Sequence, residues 1–296
     1  MLGRIRQLFK DNGKEKVQKT PDFPELTTEE LQRMFDSNAA VQEVKNQAAN
    51  YIHLEMRNNR DITQKNSKIG GVGYLPKTMA YPRNNGGVPL SLLAQINFAE
   101  IPNLEGYPTE GILAIYIDYS DDVWGINLDN SRNNAGFRVL YFEDVDVKSY
   151  SVAEIKRIFE YVDQSEWIPV VSQEKRLIGR LEQDYLFASR DAFEEVFEST
   201  LDNFLYEQFG KYGDMMIDYV GGTYWPEGHK IGGYPLFNQD DPRIDNKYDK
   251  LLFQLDSDTI KGVVMWADSG TGHFFISEQD LKNRKFDDVH YSWDSL

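Results

Sequence analysis

Lys68-Ile69-Gly70-Gly71 returns in the second half of the chain as Lys230-Ile231-Gly232-Gly233, and the segments that follow each copy return in the same order. After the first copy come Tyr81-Pro82-Arg83, the run Leu93-Ala94-Gln95-Ile96-Asn97, and Glu110-Gly111-Ile112-Leu113 leading to Asp118. After the second come Asp241-Pro242-Arg243, Leu252-Phe253-Gln254-Leu255-Asp256, and Lys261-Gly262-Val263-Val264 leading to Asp268. Lys to Gln spans 27 positions in one copy and 24 in the other, a drift that loops tolerate. Each unit reads as a Gly-Gly turn, a Pro-Arg loop, a strand carrying Gln and a second strand ending in Asp. The expected fold is α+β: two related β-rich repeat units, about residues 68–118 and 230–268, with helices preceding each, in one pseudo-two-fold domain.

Outward from the repeats, Thr27-Thr28-Glu29-Glu30 and Ser151-Val152-Ala153-Glu154 have the Ser/Thr-x-x-Glu form of a capping box, and each predicts a helix start. Val152, Ile155, Phe159 and Val162 form the apolar stripe of the second of these helices. Val41, Val44, Ala48, Tyr51 and Ile52 share another helical stripe, which predicts a helix from Ser37 to about Met56. A further helical stretch runs from Ser189 or Asp191 through Phe209 and ends at Gly210 or Gly213, where glycine supplies a left-handed cap. Gly and Pro punctuate the apolar runs Ser91–Phe98 and Gly111–Asp118, which read as strands. Trp167–Val171 and Arg176–Leu181 read as short extended pieces, and strand character returns from Tyr219 onward.

The 296 residues include 32 Lys+Arg, 48 Asp+Glu, no Cys and four His. The absence of Cys excludes a disulfide framework, a Cys-ligated metal and a thiol nucleophile. No apolar run approaches the 18 or so residues of a membrane span. A net charge of −16 repels phosphate backbones, so no nucleic-acid partner is expected. Residues 1–21 read as a basic amphipathic tail and linker ahead of a domain over 22–296: Arg4, Arg6, Lys10, Lys14, Lys16 and Lys19 flank Leu2, Ile5, Leu8 and Phe9. A solvated terminus outweighs membrane contact by residues 1–20 as its reading. The tail lacks the features of a secretory signal, so the expected location is cytoplasmic.

The run Gly70-Gly71-Val72-Gly73-Tyr74-Leu75-Pro76, with Leu92-Leu93-Ala94-Gln95-Ile96-Asn97-Phe98 and Leu104-Glu105-Gly106-Tyr107-Pro108-Thr109-Glu110-Gly111, resembles the YwqG-like family of bacterial proteins. Gly232-Gly233-Tyr234-Pro235-Leu236-Phe237-Asn238-Gln239-Asp240-Asp241-Pro242-Arg243 and Asp268-Ser269-Gly270-Thr271-Gly272-His273-Phe274-Phe275-Ile276 extend the resemblance, which covers roughly residues 25–292. It implies a bacterial, cytoplasmic α+β protein from a family of unknown function, and it transfers no catalytic residue. Asn238 stands where that pattern usually has Thr, and Ala267 where it usually has Gly.

The residues that the repeat places in register are the candidates for chemistry. Arg83 and Arg243 could hold carboxylates if the copies face one another, and Gln95 with Gln254 are candidate ligand groups; for both pairs, locking of loops to strands is the competing reading. Trp225 and Trp266 are candidate pocket walls. Asp240, Asp241, Asp268 and His273 are the catalytic candidates, as acid/base groups or metal ligands. His273 with Asp268, Ser269 and Thr271 has the residue types of a Ser/His/Asp set, but without a strand-to-helix nucleophile elbow. Gly70, Gly71 and Gly73 are not followed by Gly-Lys-Ser/Thr, so no phosphate loop is assigned. The acidic runs Asp118–Asp122 and Asp256–Asp258 lack the calcium-loop pattern. No metal set and no cofactor motif is assigned. The expectation is a non-enzymatic binding or interaction protein for an unidentified protein or small molecule, in one version an immunity-like or regulatory partner that masks a basic target. The alternative is a hydrolase or small-molecule-processing enzyme with its Asp/His site at the repeat junction.

Overall fold

The structure is a computed structural model that describes residues 24–58, 60–127, 134–225, 227–243, 247–258, 260 and 262–295. The expected basic tail lies outside the described residues. Ten antiparallel strands form one curled sheet, a half-barrel. They are β1 (Ala49–Arg57), β2 (Lys68–Ile69), β3 (Ser91–Asn97), β4 (Ile112–Ile117), β5 (Phe137–Phe142), β6 (Lys175–Asp184), β7 (Lys230–Gly232), β8 (Lys250–Asp256), β9 (Thr271–Ile276) and β10 (His290–Asp294), in the order 10-9-8-7-1-6-2-3-4-5. The long strands β1 and β6 pair along nine positions in the middle of the sheet.

One face of the sheet is a continuous apolar core. Strand alternation sends Ile52, Leu54, Ile69, Ile96, Ile115, Val139, Ile231, Leu255, Phe274 and Tyr291 to it, from both halves of the chain. The two edge strands meet there through side chains: the Phe137 and Tyr291 rings lie 5.2 Å apart, the Tyr291 hydroxyl donates to the Trp124 carbonyl, and Trp293 Nε1–H donates to the Val123 carbonyl. On the outer face, the first half is covered by helix α3 (Val152–Phe159) and the loop after β2, around Tyr74, Leu92, Tyr116 and Ile155. The second half is covered by the loop after β7, with Phe237 and Tyr248 against Leu251 and Phe275. Helices α1 (Thr28–Ser37), α2 (Ala39–Lys45), α4 (Arg190–Phe197), α5 (Leu201–Phe209) and α6 (Gly213–Thr223) form a separate cluster around Phe35, Phe187, Phe193 and Phe204. Both expected capping boxes form, at Thr27 for α1 and Ser151 for α3.

Four expectations need correction. The helix expected over 37–56 stops at Lys45, and Ala49–Arg57 is a strand; Ile52 and Leu54 are buried on one face, and hydrogen bonding to β6 and β7 on both sides outweighs the coincidental helical spacing. The helical stretch from residue 189 is three helices: Glu198 adopts a left-handed conformation, Thr200 caps α5, and the chain continues past Gly213 into α6, which buries Met216 and Val220 and takes in Tyr219, so strand returns only at Lys230. Residues 262–268 do not form the second strand of a unit. Ala267 and Ser269 have φ of 40° and 74°, which a strand cannot accommodate, so β9 pairs with β8 instead and Asp268 sits on an exposed turn. Along α3 only Ile155 is buried, and Val152 is exposed.

Each half is held by a buried Lys beside a buried Gln. Lys68 lies directly opposite Gln95, and Lys230 opposite Gln254. Gln95 accepts the Tyr74 N–H at 2.7 Å and donates to the carbonyls of Gln64 and Asn66. Gln254 accepts the Leu236 N–H at 2.9 Å and donates to the Gly228 carbonyl. Lys68 Nζ donates to the Thr63 and Val72 carbonyls and to Glu174, while Lys230 Nζ donates to Asp184 at 2.7 Å. In both halves the strand bulges just before the Gln. Because both glutamines are fully buried, removing the amide leaves buried backbone groups unpaired. Gln95→Leu and Gln254→Leu should each cost about 2–3 kcal/mol in urea unfolding. The double variant should be additive to about 0.5 kcal/mol, since the two sites share no partner; unchanged midpoints would contradict this assignment.

Candidate functional site

Across the outer face of the second half, Lys230, Gln254, His273 and Ser292 stand directly opposite one another on successive strands. In the first half the corresponding row is Lys68, Gln95, Ala114 and Leu140. His273 therefore occupies the place next to the Gln that Ala114 holds in the first half. Its Nε2 lies 2.6 Å from the Leu236 carbonyl, and since a carbonyl only accepts, Nε2 carries the proton. The ring packs against those of Phe237 and Phe275, which also meet each other. Burial pushes its pKa down to about 4, against the opposing pull of Asp294 and Asp241. At pH 7 it is a neutral donor fixed to backbone.

The neighbouring row, Asp256, Thr271 and Asp294, fastens the covering loop. Thr271 Oγ1 donates to Asp256, and Asp294 accepts the backbone N–H groups of Asn238 and Gln239 and the Asn238 side chain. Burial raises the Asp256 pKa.

The other sequence candidates are scattered. Arg243 grips both Asp241 oxygens, donates to the Tyr248 carbonyl and stacks on Phe275 with its guanidinium carbon 4.5 Å from the ring centroid. Arg83 donates to the Gly87 carbonyl within its own loop; the two arginines thus act in separate loops. Asp240 is exposed beside Asp191, Asp268 is on its exposed turn, and Asp118, at the end of β4, is held by Asn84 and Ser120. Trp266 is fully buried, with Nε1–H donating to the Leu255 carbonyl and its ring among Trp124, Trp293 and Tyr291, whereas Trp225 is half-exposed on the helical side. Among the described residues no group of three or more His, Asp or Glu side chains could hold a metal ion.

The structure shows an open cleft of about 440 Å³ in the first half, away from Asp241, Arg243 and His273. It lies against Gly70 and Gly71; Tyr119 lines it, and Tyr81 from the loop, Phe159 from α3 and Trp167 from the segment before β6 form an aromatic corner. Phe159 meets Tyr81 at 5.7 Å and 87°, and Trp167 at 6.2 Å and 82°, so the rings turn a corner instead of stacking. The Tyr81 hydroxyl is anchored to the Leu90 carbonyl. Behind it Tyr116 meets the ring edge-on, its buried hydroxyl unpartnered among the described residues. Gly71 has φ of +69°, a conformation that L side chains rarely adopt, and it packs against the Glu174 side chain of the segment before β6. The cleft escaped the sequence because its rings come from three separate segments. The Gly-Gly pair was its one local signal.

Residues 67–295 match the family described as domain of unknown function DUF1963. The match covers most of the chain, which belongs to that family. No curated protein matches it significantly. Among the described residues no helix is long and apolar enough to cross a membrane.

His273 predicts a pH dependence. Because its folded pKa lies below the unfolded value of about 6.5, the unfolded chain binds the extra proton. This contribution to stability is complete above about pH 6.5 and is lost as pH falls toward 4. It amounts to about 2 kcal/mol between pH 7 and pH 5. In urea unfolding at those two pH values, His273→Gln should show a correspondingly smaller loss than the parent chain; equal losses would show that His273 is not buried in its neutral form.

Proposed function

We propose that this protein is a non-enzymatic binding protein whose ligand site is the aromatic cleft beside Gly70 and Gly71. The observation that carries this reading is a contrast: the cleft is open, whereas Asp241, Arg243, Gln254 and His273 are engaged in fastening loops to the sheet. A cleft of about 440 Å³ falls within the range of small-molecule sites. The hydrolase alternative needs Asp240, Asp241, Asp268 and His273 as one acid/base or metal-binding set; Asp241 and His273 are engaged within the fold, and Asp240 and Asp268 are exposed on separate loops.

The proposal includes a bacterial, cytoplasmic protein of YwqG-like type, built by internal duplication. Register supports the duplication. Lys68 pairs with Arg176 as Lys230 pairs with His53, and His53–Arg180 and Arg57–Arg176 are themselves paired. A two-fold axis at the Glu55–Ile178 pair would exchange these positions. Acidity leaves room for a basic protein partner on another surface.

Thermal unfolding against a panel of aromatic acids, sugars, nucleotides and metals, with a chelator control, tests the reading. A ligand at 100 times its Kd adds about 2.7 kcal/mol, an increase of a few degrees for a chain of this size. The shift should survive Asp241→Asn and disappear in Tyr81→Ala. A shift that Asp241→Asn abolishes and Tyr81→Ala spares would overturn the assignment.

A further inference from the structure

The cleft's lining suggests what kind of molecule it takes, an inference that rests on the binding reading above. We infer that it holds a small planar aromatic ring carrying a carboxylate, the ring against Tyr81, Phe159 and Trp167 and the carboxylate toward Lys156. Three aromatic faces around one corner favour a flat apolar body, because stacked and edge-to-face ring contacts add stabilisation beyond burial alone. The volume suits one or two fused rings with a short substituent.

Charge selects among such molecules. Among the described residues that line the cleft, Lys156 is the charged one, in a chain of net charge −16. It stands in the last turn of α3, one turn before Phe159, and no carboxylate pairs with it among the described residues. The lysines on the neighbouring segments are committed: Lys68 to Glu174, and Lys77 to Glu154. A carboxylate next to the rings gives Lys156 a partner, whereas an ammonium group there would be repelled. Ser91 and Gln164 supply further polar groups around the cleft.

The test is calorimetric titration with three molecules that share a ring and differ in charge: 4-hydroxyphenylacetate, 4-ethylphenol and tyramine, with acetate as the anion lacking a ring. The expected order is 4-hydroxyphenylacetate tightest and tyramine weakest, with no binding of acetate. Lys156→Gln should weaken 4-hydroxyphenylacetate about threefold to fivefold, as expected for a solvent-accessible ion pair, and leave 4-ethylphenol unchanged. Tyr81→Ala should weaken every ring compound. If tyramine binds as tightly as the acid, or Lys156→Gln leaves the acid's affinity unchanged while the rings still bind, the charge assignment is overturned and the binding reading stands. If no ring compound binds at millimolar concentration, both are overturned.

Discussion

Two lysine side chains are buried in this sheet, and the rest of the architecture accommodates them. An ammonium group removed from water needs its hydrogen bonds supplied internally. Lys68 finds two carbonyls and Glu174, and Lys230 finds Asp184 and the face of Tyr51. These partners come from the segments flanking β2 and the stretch before β6 in the first half, and from the end of β6 and β1 in the second. The buried Gln opposite each Lys then fixes the covering loop by its N–H and carbonyl groups. Burial lowers the pKa of both lysines, the signature of charges held where water does not reach them.

The outer faces of the two halves of the sheet differ. The first half puts Ala114 and Leu140 in the row beyond the Gln, and its covering layer stands off far enough to leave a cleft between α3 and the Gly-Gly corner. In the second half His273 and Ser292 fill the same row, and Asp294, Asn238 and the Arg243–Asp241 pair draw the loop down. Asp241, Arg243 and His273 therefore belong to the layer that fastens this loop. The cleft beside Gly70 and Gly71 is lined mainly by aromatic and apolar side chains.

This arrangement explains how far the sequence could be read. The capping boxes at Thr27 and Ser151, the glycine corners and the strands carrying Gln95 and Gln254 were legible because each rests on residues close in sequence. Strand β1 was misread because Ile52 and Leu54 alternate over too short a run to compete with the helical spacing from Val41, and its two partners lie far along the chain. Val263 and Val264 look like a strand, but Val264 makes only a single bridge, to Val171, before the chain turns through Ala267 and Ser269. Among the candidate residues, Gln95 and Gln254 each stand on a strand opposite a buried Lys. What the sequence could not supply was the distinction between an amide that fastens a loop and one that faces a ligand. Tyr81, Phe159 and Trp167 show no common period, and only the packing of α3 onto the sheet brings them together.

The central claim is that the open cleft of the first half, and not the polar cluster of the second, is where this protein meets its ligand. A crystal structure of the full chain grown with 4-hydroxyphenylacetate tests it most directly. The account predicts the ring seated among Tyr81, Phe159 and Trp167 with its carboxylate toward Lys156. A ligand bound instead beside His273 and Asp241, or a cleft left empty by a compound that calorimetry shows to bind, would contradict it.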